Sequence, residues 1–199
     1  MGEIKMLQLD VWRSPSTITP FLTVISHSHA DHIPENITNA VIIHKYWADR
    51  PNVKHVKPII ADGKPIVFKP SKSAKITVKA LTPREVGRIA GRQINRLHST
   101  WWIISCNGEI TLFIGDFNAG EASIVKDLIE GLESVRTKIT KLAVPSYNGV
   151  NGHNSEGMQL AREIADLTRY AKAKGITTIA LPHPVLGPGS WDEVWIRYS

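Results

Sequence analysis

Three histidines and an aspartate fall within six residues, His27-Ser28-His29-Ala30-Asp31-His32, directly after the apolar run Phe21-Leu22-Thr23-Val24-Ile25. The run is short and β-branched, so it reads as a buried strand at about 21–26. The chain leaving that strand can aim His27 and His29 to one side and turn Asp31 and His32 to another. Imidazole and carboxylate are the donors that zinc and similar divalent ions take, and four of them this close suit a site shared by two ions. The plain alternative is a surface loop that happens to be rich in histidine. Isolated histidines are common, but this density after a buried strand is not.

The first half of the chain reads mostly as strands. Ile4 to Trp12 ends in Leu9-Asp10-Val11-Trp12, and Val41-Ile42-Ile43 and Ile76 to Ala80 are further strand candidates. His44 reads as a strand-end or core histidine. Val56 to Ile60 and Ile66 to Phe68 flank Asp62-Gly63, a turn signal. Thr82-Pro83-Arg84-Glu85 supplies an N-cap, a first-turn proline and a capping-box glutamate, which predicts a helix over about 83–95. Gly87 and Gly91 weaken it. Arg84, Arg88, Arg92 and Arg96 recur along it at steps of four, each about 40° on from the last, as one basic stripe. Such a stripe is ordinarily a solvated face; its functional reading is an anion-binding rim leading to His98, with Arg88 and Arg92 on substrate.

Asn107-Gly108 predicts a tight hairpin between Trp101–Cys106 and Glu109–Ile114. A helix at about 121–133, a strand at Lys141 to Pro145, an amphipathic helix at about 155–173 and a strand at Ile176 to Leu181 follow. A polar tail with Trp191 and Trp195 ends the chain. Strands first, then alternating helices and strands, indicate α/β layering of sheets covered by helices. At 199 residues this fits one domain, 1–199. No apolar run approaches membrane-spanning length, and the opening residues lack a signal-peptide layout. The single cysteine, Cys106, excludes a disulfide framework and a cysteine-built zinc site, which makes a cytoplasmic location the default expectation. A net charge of +6 favours anionic partners.

Further donors recur at strand ends: His98 before one strand, Asp116 after another, His183 after a third. His27, His29 and His98 could hold one ion and Asp31, His32 and His183 the other, with Asp116 bridging. Two ions so placed would bring a water between them to near-neutral pKa and polarise a carbonyl or phosphoryl oxygen, which is a hydrolase's apparatus. Asp31 would orient the resulting hydroxide, and His153 is a candidate proton donor. Tyr147, in the same Asn- and Gly-rich loop as His153, is a candidate substrate contact, although such loops also use these residues for capping.

These residues resemble the metallo-β-lactamase superfamily. His27-Ser28-His29-Ala30-Asp31-His32 matches its H-x-H-x-D-H signature, and His98, Gly115-Asp116 and Pro182-His183 follow in the order of its later ligand motifs. The resemblance covers nearly the whole chain and implies a four-layer αβ/βα sandwich with metals at one edge. It is nearest to small stand-alone hydrolases similar to ascorbate-6-phosphate lactonase, whose strand-end aspartate Asp10 would match as a partner of a ligand histidine. The glycine-containing hairpin that opens such chains is missing or reduced, which implies a first sheet short of edge strands. Phe117-Asn118 stands where the family often has a threonine, and His29 where the diiron oxygen-reducing branch has glutamate. The implied cofactor is two divalent ions, zinc first, with manganese or iron as alternatives.

Three functions follow as expectations. The first is a metal-dependent hydrolase of a small anionic phosphorylated, ester or lactone substrate. The second is a nuclease or phosphodiesterase on RNA or DNA, with the arginine stripe tracking the backbone. The third is a non-catalytic, metal-stabilised binding or regulatory protein. No membrane partner is expected, and the tryptophans near the C-terminus could serve an oligomer contact.

Overall fold

The computed structural model describes residues 5–10, 21–29, 32–33, 40–70, 74–116, 118–146, 155–182 and 195–197. Among them, two sheets and five helices make a mixed α/β architecture. The first sheet has the order β11 (Trp195–Arg197), β1 (Lys5–Leu9), β2 (Leu22–Ile25), β3 (Ala40–His44), β4 (Ile59–Ala61). Its strands β1 to β4 run parallel, and β11 joins β1 antiparallel. The second has the order β10 (Thr177–Pro182), β9 (Lys141–Ser146), β8 (Glu109–Ile114), β7 (Trp101–Cys106), β6 (Ile76–Leu81), β5 (Ile66–Phe68). Strands β5 to β8 are antiparallel neighbours, and β8, β9 and β10 are parallel. The helices are α1 (Lys45–Ala48), α2 (Pro51–Lys54), α3 (Pro83–Ala90), α4 (Glu121–Ser134) and α5 (Ser155–Ala173).

The apolar residues explain the layering. Strand β2 is buried at all four positions, as a parallel strand covered on both faces must be. Leu7, Leu22 and Val24 of the first sheet share one core with Val78, Trp102 and Phe113 of the second, so the sheets face each other. Opposite faces of the second sheet's strands supply Trp101, Leu112 and Leu142 to a core built with Val125, Leu128 and Leu167 of α4 and α5. Ile25 and Ile43 pack outward with Val53 of α2. Alternation along single strands therefore feeds two cores at once. No helix is long and apolar enough to cross a membrane among the described residues.

The hairpin turn is as its residues dictate: Asn107 and Gly108 both have positive φ, 49° and 84°. Three expectations need correction. The predicted helix 83–95 stops at Ala90, because Gly91 adopts a left-handed conformation (φ 66°) and closes it. Arg92 and Arg96 thus leave the stripe, which shrinks to Arg84 and Arg88. Asp62-Gly63 does turn the chain, with Gly63 at φ 92°, and it carries it from one sheet to the other, since β4 pairs with β3 and β5 with β6. The tail supplies β11, which lies beyond β1 and brings the first sheet to five strands. The short helices α1 and α2 were not foreseen; His44 Nδ1 accepts the Tyr46 N–H to cap α1, and Pro51 opens α2.

Helices α3 and α4 meet backbone to backbone. A Cβ at Gly131 would run into the carbonyl oxygen of Ile89. Gly131→Ala is expected to cost about 1–3 kcal/mol, as overpacking in a close crossing does, read as a lowered midpoint in chemical denaturation. A change within error would mean that the helices part freely there.

Candidate metal centre

The centre begins where β2 ends. Ser26 N–H donates to Asp10 Oδ1 at 2.7 Å and Ser26 Oγ to Asp10 Oδ2 at 2.6 Å. Asp10 reaches this position by leaving β1 with φ 39°, a left-handed conformation that aspartate tolerates better than most residues. The Ser26 hydroxyl proton is committed to Asp10, so its lone pair accepts from His27 Nδ1, 2.9 Å away. That tautomer leaves the His27 Nε2 lone pair facing the cluster. His29 Nδ1 lies 2.8 Å from His27 Nε2, and the rings of His32 and His98 have centroids 4.2 and 5.9 Å from that of His27.

Asp116, just past β8, enters from the second sheet. Its Oδ2 lies 3.6 Å from His27 Nε2 and 3.5 Å from His32 Nε2. One carboxylate oxygen therefore stands between two ring nitrogens. Donor atoms of His27, His98 and Asp116 lie within 4.8 Å of one another, as do those of Asp10, His27 and His32. Imidazole nitrogens with a shared carboxylate form a donor set suited to zinc and similar ions. Asp10 Oδ2 is 3.0 Å from His32 Nδ1, the ring nitrogen turned away from Asp116. The same carboxylate thus orients His32 directly and His27 through Ser26, as outer partners of metal-binding histidines do.

Electrostatics divides the histidines. Burial, reinforced by charge on His32, pushes His27 down to about 3, against the pull of Asp10 and Asp116. Burial also opposes charge on His32, but its contacts with Asp10 and Asp116 outweigh it and hold the pKa well above 6.5. His98 is lowered, chiefly by burial. At neutral pH His27 and His98 are therefore ready as lone-pair donors, whereas His32 carries a proton.

Close packing sets these positions. A side chain at Gly115 would run into Ser26 and crowd Ser99 Oγ, so only glycine lets β8 approach the end of β2. Thr100 N–H donates to Ser26 O at 2.9 Å, and Ser99 Oγ to Asp116 O at 2.7 Å. Glu121, in the first turn of α4, was missed in the sequence. Its carboxylate accepts from His98 N–H at 3.0 Å and Asn118 N–H at 3.1 Å, tying together the loops that carry His98 and Asp116. Burial raises its pKa, although both donors pull it down. An acidic residue after Gly120 offers only an ordinary helix-start signal, which does not reveal this tie.

Five of the expected metal ligands, His27, His29, His32, His98 and Asp116, converge in this way. Asp31, Tyr147, His153 and His183 lie outside the described residues. Arg88 is exposed on the last turn of α3. Arg92 turns to α4, where it pairs with Asp127 and donates to Ser123 Oγ at 3.0 Å.

No protein-family model matches the sequence, and no curated protein matches it. Among solved structures the chain is similar to an inferred metal-dependent hydrolase from Parabacteroides distasonis, with 13% identity, 87% of this chain and 83% of that one covered, and a TM-score of 0.45. It is also similar to unliganded yeast PDE1, at 14% identity and a TM-score of 0.39, over 81% of this chain and 56% of the yeast protein. Both likenesses are loose, and the chemistry of the site stands on its own residues.

Gly115→Ala should force Ser26 and Asp116 apart and weaken zinc uptake by roughly tenfold or more, in the range seen when ligand supports are lost; competition with a chromogenic chelator reads this directly. Unchanged affinity would show that the close approach does not set the donors. A divalent ion must also displace the proton that His32 holds, whereas His27, at about 3, has none to lose at pH 7. Zinc binding at pH 7 should therefore release about one proton from this pair and tighten as pH rises towards the pKa of His32. Titration calorimetry in buffers of different ionisation enthalpy measures that release; heats independent of buffer would contradict it.

Proposed function

We propose that this chain is a metal-dependent hydrolase of the metallo-β-lactamase type, with a dinuclear centre between its sheets at one edge of a four-layer αβ/βα sandwich. The observation that carries the reading is the Asp116 oxygen, 3.6 and 3.5 Å from ring nitrogens of His27 and His32. A purely structural ion is usually closed off by four protein ligands and needs no shared carboxylate. Two face-to-face sheets with apolar clusters on their outer faces support the sandwich.

His27, His29 and His98 would hold one ion, and Asp31, His32 and His183 the other, with Asp116 common to both. Bound zinc, or manganese or iron in its place, would supply Lewis acidity and lower the pKa of water at the site. The chain's own work is to present lone pairs. Ser26 fixes the His27 tautomer, Asp10 takes up the outer nitrogen of His32, and Glu121 holds the His98 backbone. Asp31 would orient the nucleophile, while His153 would hand a proton to the leaving group. Tyr147 and Arg88 are proposed substrate contacts. Arg92 is a poorer one, since Asp127 already engages it.

The substrate is proposed to be an anionic phosphorylated, ester or lactone compound. A phosphodiester of RNA or DNA is a second reading, favoured by the cationic surface of α1 and α2 beside the site. The test is metal analysis of purified protein, then assay of the loaded form on phosphodiesters, phosphomonoesters, lactones and thioesters. About two ions per chain are expected, and Asp116→Ala should lower turnover at least roughly 100-fold. A chain that takes up no divalent ion overturns the proposal. Loaded protein inactive on the whole panel would favour the binding or regulatory alternative.

A further inference from the structure

We propose that the α1–α2 segment beside the candidate metal centre is a docking subsite for single-stranded nucleic acid, with Tyr46 stacking on a base and Lys45, Arg50 and Lys54 meeting the flanking phosphates. It rests on the second substrate reading above for its catalytic consequence, but binding itself requires no metal.

The segment is anchored against the site. The Trp47 ring lies 6.0 Å from that of His27, and its Nε1 donates to Thr100 Oγ1 at 3.1 Å. Asn52 Nδ2 donates to the carbonyl of Ser28, within the histidine loop. Tyr46 stands edge-on to Trp47, with centroids 4.7 Å apart at 90°, and is 59% exposed. Trp47 thus props an aromatic ring at the surface, next to the histidines. An exposed, backed ring is an open stacking platform, and every base has a face to offer it.

Charge points the same way. The segment itself, residues 45–54, holds Lys45, Arg50 and Lys54 against Asp49 alone, a net +2 within ten residues. Lys45, Arg50 and Lys54 are exposed and make no ion pair among the described residues. A small phosphate monoester is usually gripped by converging, partly buried donors. Cations spread over a surface beside an open ring suit alternating phosphates and bases instead. The base must be unpaired, because a ring of this kind cannot stack on one inside a duplex.

The experiment is fluorescence anisotropy of the full chain with labelled single-stranded RNA and DNA oligonucleotides, in EDTA and over a salt series. Binding at low salt is expected. Tyr46→Ala should weaken it roughly 5- to 100-fold and Tyr46→Phe should restore it. The K45Q/R50Q/K54Q variant should reduce the salt slope by about 2, at about 0.7 per lost phosphate contact. Thermal melts confirm that each variant is folded. Absence of oligonucleotide binding, equal affinity of Tyr46→Ala and wild type, or an unchanged salt slope overturns the proposal. Hydrolase activity on small substrates without strand binding would sink this inference alone. Strand binding in EDTA by a chain that never hydrolyses would instead sink the hydrolase reading and leave this one standing.

Discussion

The two sheets are locked together where Ser26, at the end of β2, meets Gly115, at the end of β8. No side chain fits between them, and the Thr100 N–H bond to Ser26 O closes the same gap from β7. From that junction His27 departs on one side and Asp116 on the other. The shared apolar core needs the sheets to face each other, but it does not set their spacing at one edge to within a few tenths of an ångström. The close approach of Gly115 to the Ser26 side chain and a hydrogen bond do. Donor atoms on opposite sheets can therefore lie within reach of one ion without a flexible loop having to find the geometry.

The same junction concentrates charge where water is scarce. Asp10 and Asp116 flank His32 from opposite sides, and all three are buried or nearly so. Burying ionised groups is costly unless they are paired, and proton uptake by His32 answers part of that cost. His27, in the same cluster, is driven the other way, first by its burial and then by the charge on His32. One histidine holds the proton so that its neighbour need not. A divalent cation on His32 Nε2 would take the place of that proton beside Asp116 and leave Asp10 on Nδ1.

What was legible in the sequence follows from how local each signal is. Strand β2, the hairpin at Asn107-Gly108 and helices α4 and α5 were readable because their patterns complete themselves within a few residues. The histidine loop was readable for the same reason: its donors are adjacent in the chain. Asp116 was identified by its place at a strand end, but the need for Gly115 was hidden, since it arises from a residue 89 positions away. Glu121 was hidden likewise, because its partner is the backbone of His98. The arginine stripe misled in an instructive way. Steps of four are meaningful only while the helix lasts, and Gly91, noted as a weakness, ends it.

That failure bears on how substrate surfaces can be read at all. On α3, periodic spacing promised a coherent cationic face, yet the turn after Ala90 delivers Arg92 to Asp127 on α4. On α1 and α2 no period could exist, since each helix is a single turn of four residues. Their cations are gathered instead by the way Trp47 fastens α1 to Thr100 and Asn52 fastens α2 to Ser28 of the histidine loop. Proximity to the site thus comes from tertiary anchoring, and periodicity within one element is a poor guide to it. The same packing that orders the metal donors also decides which charges stand beside them.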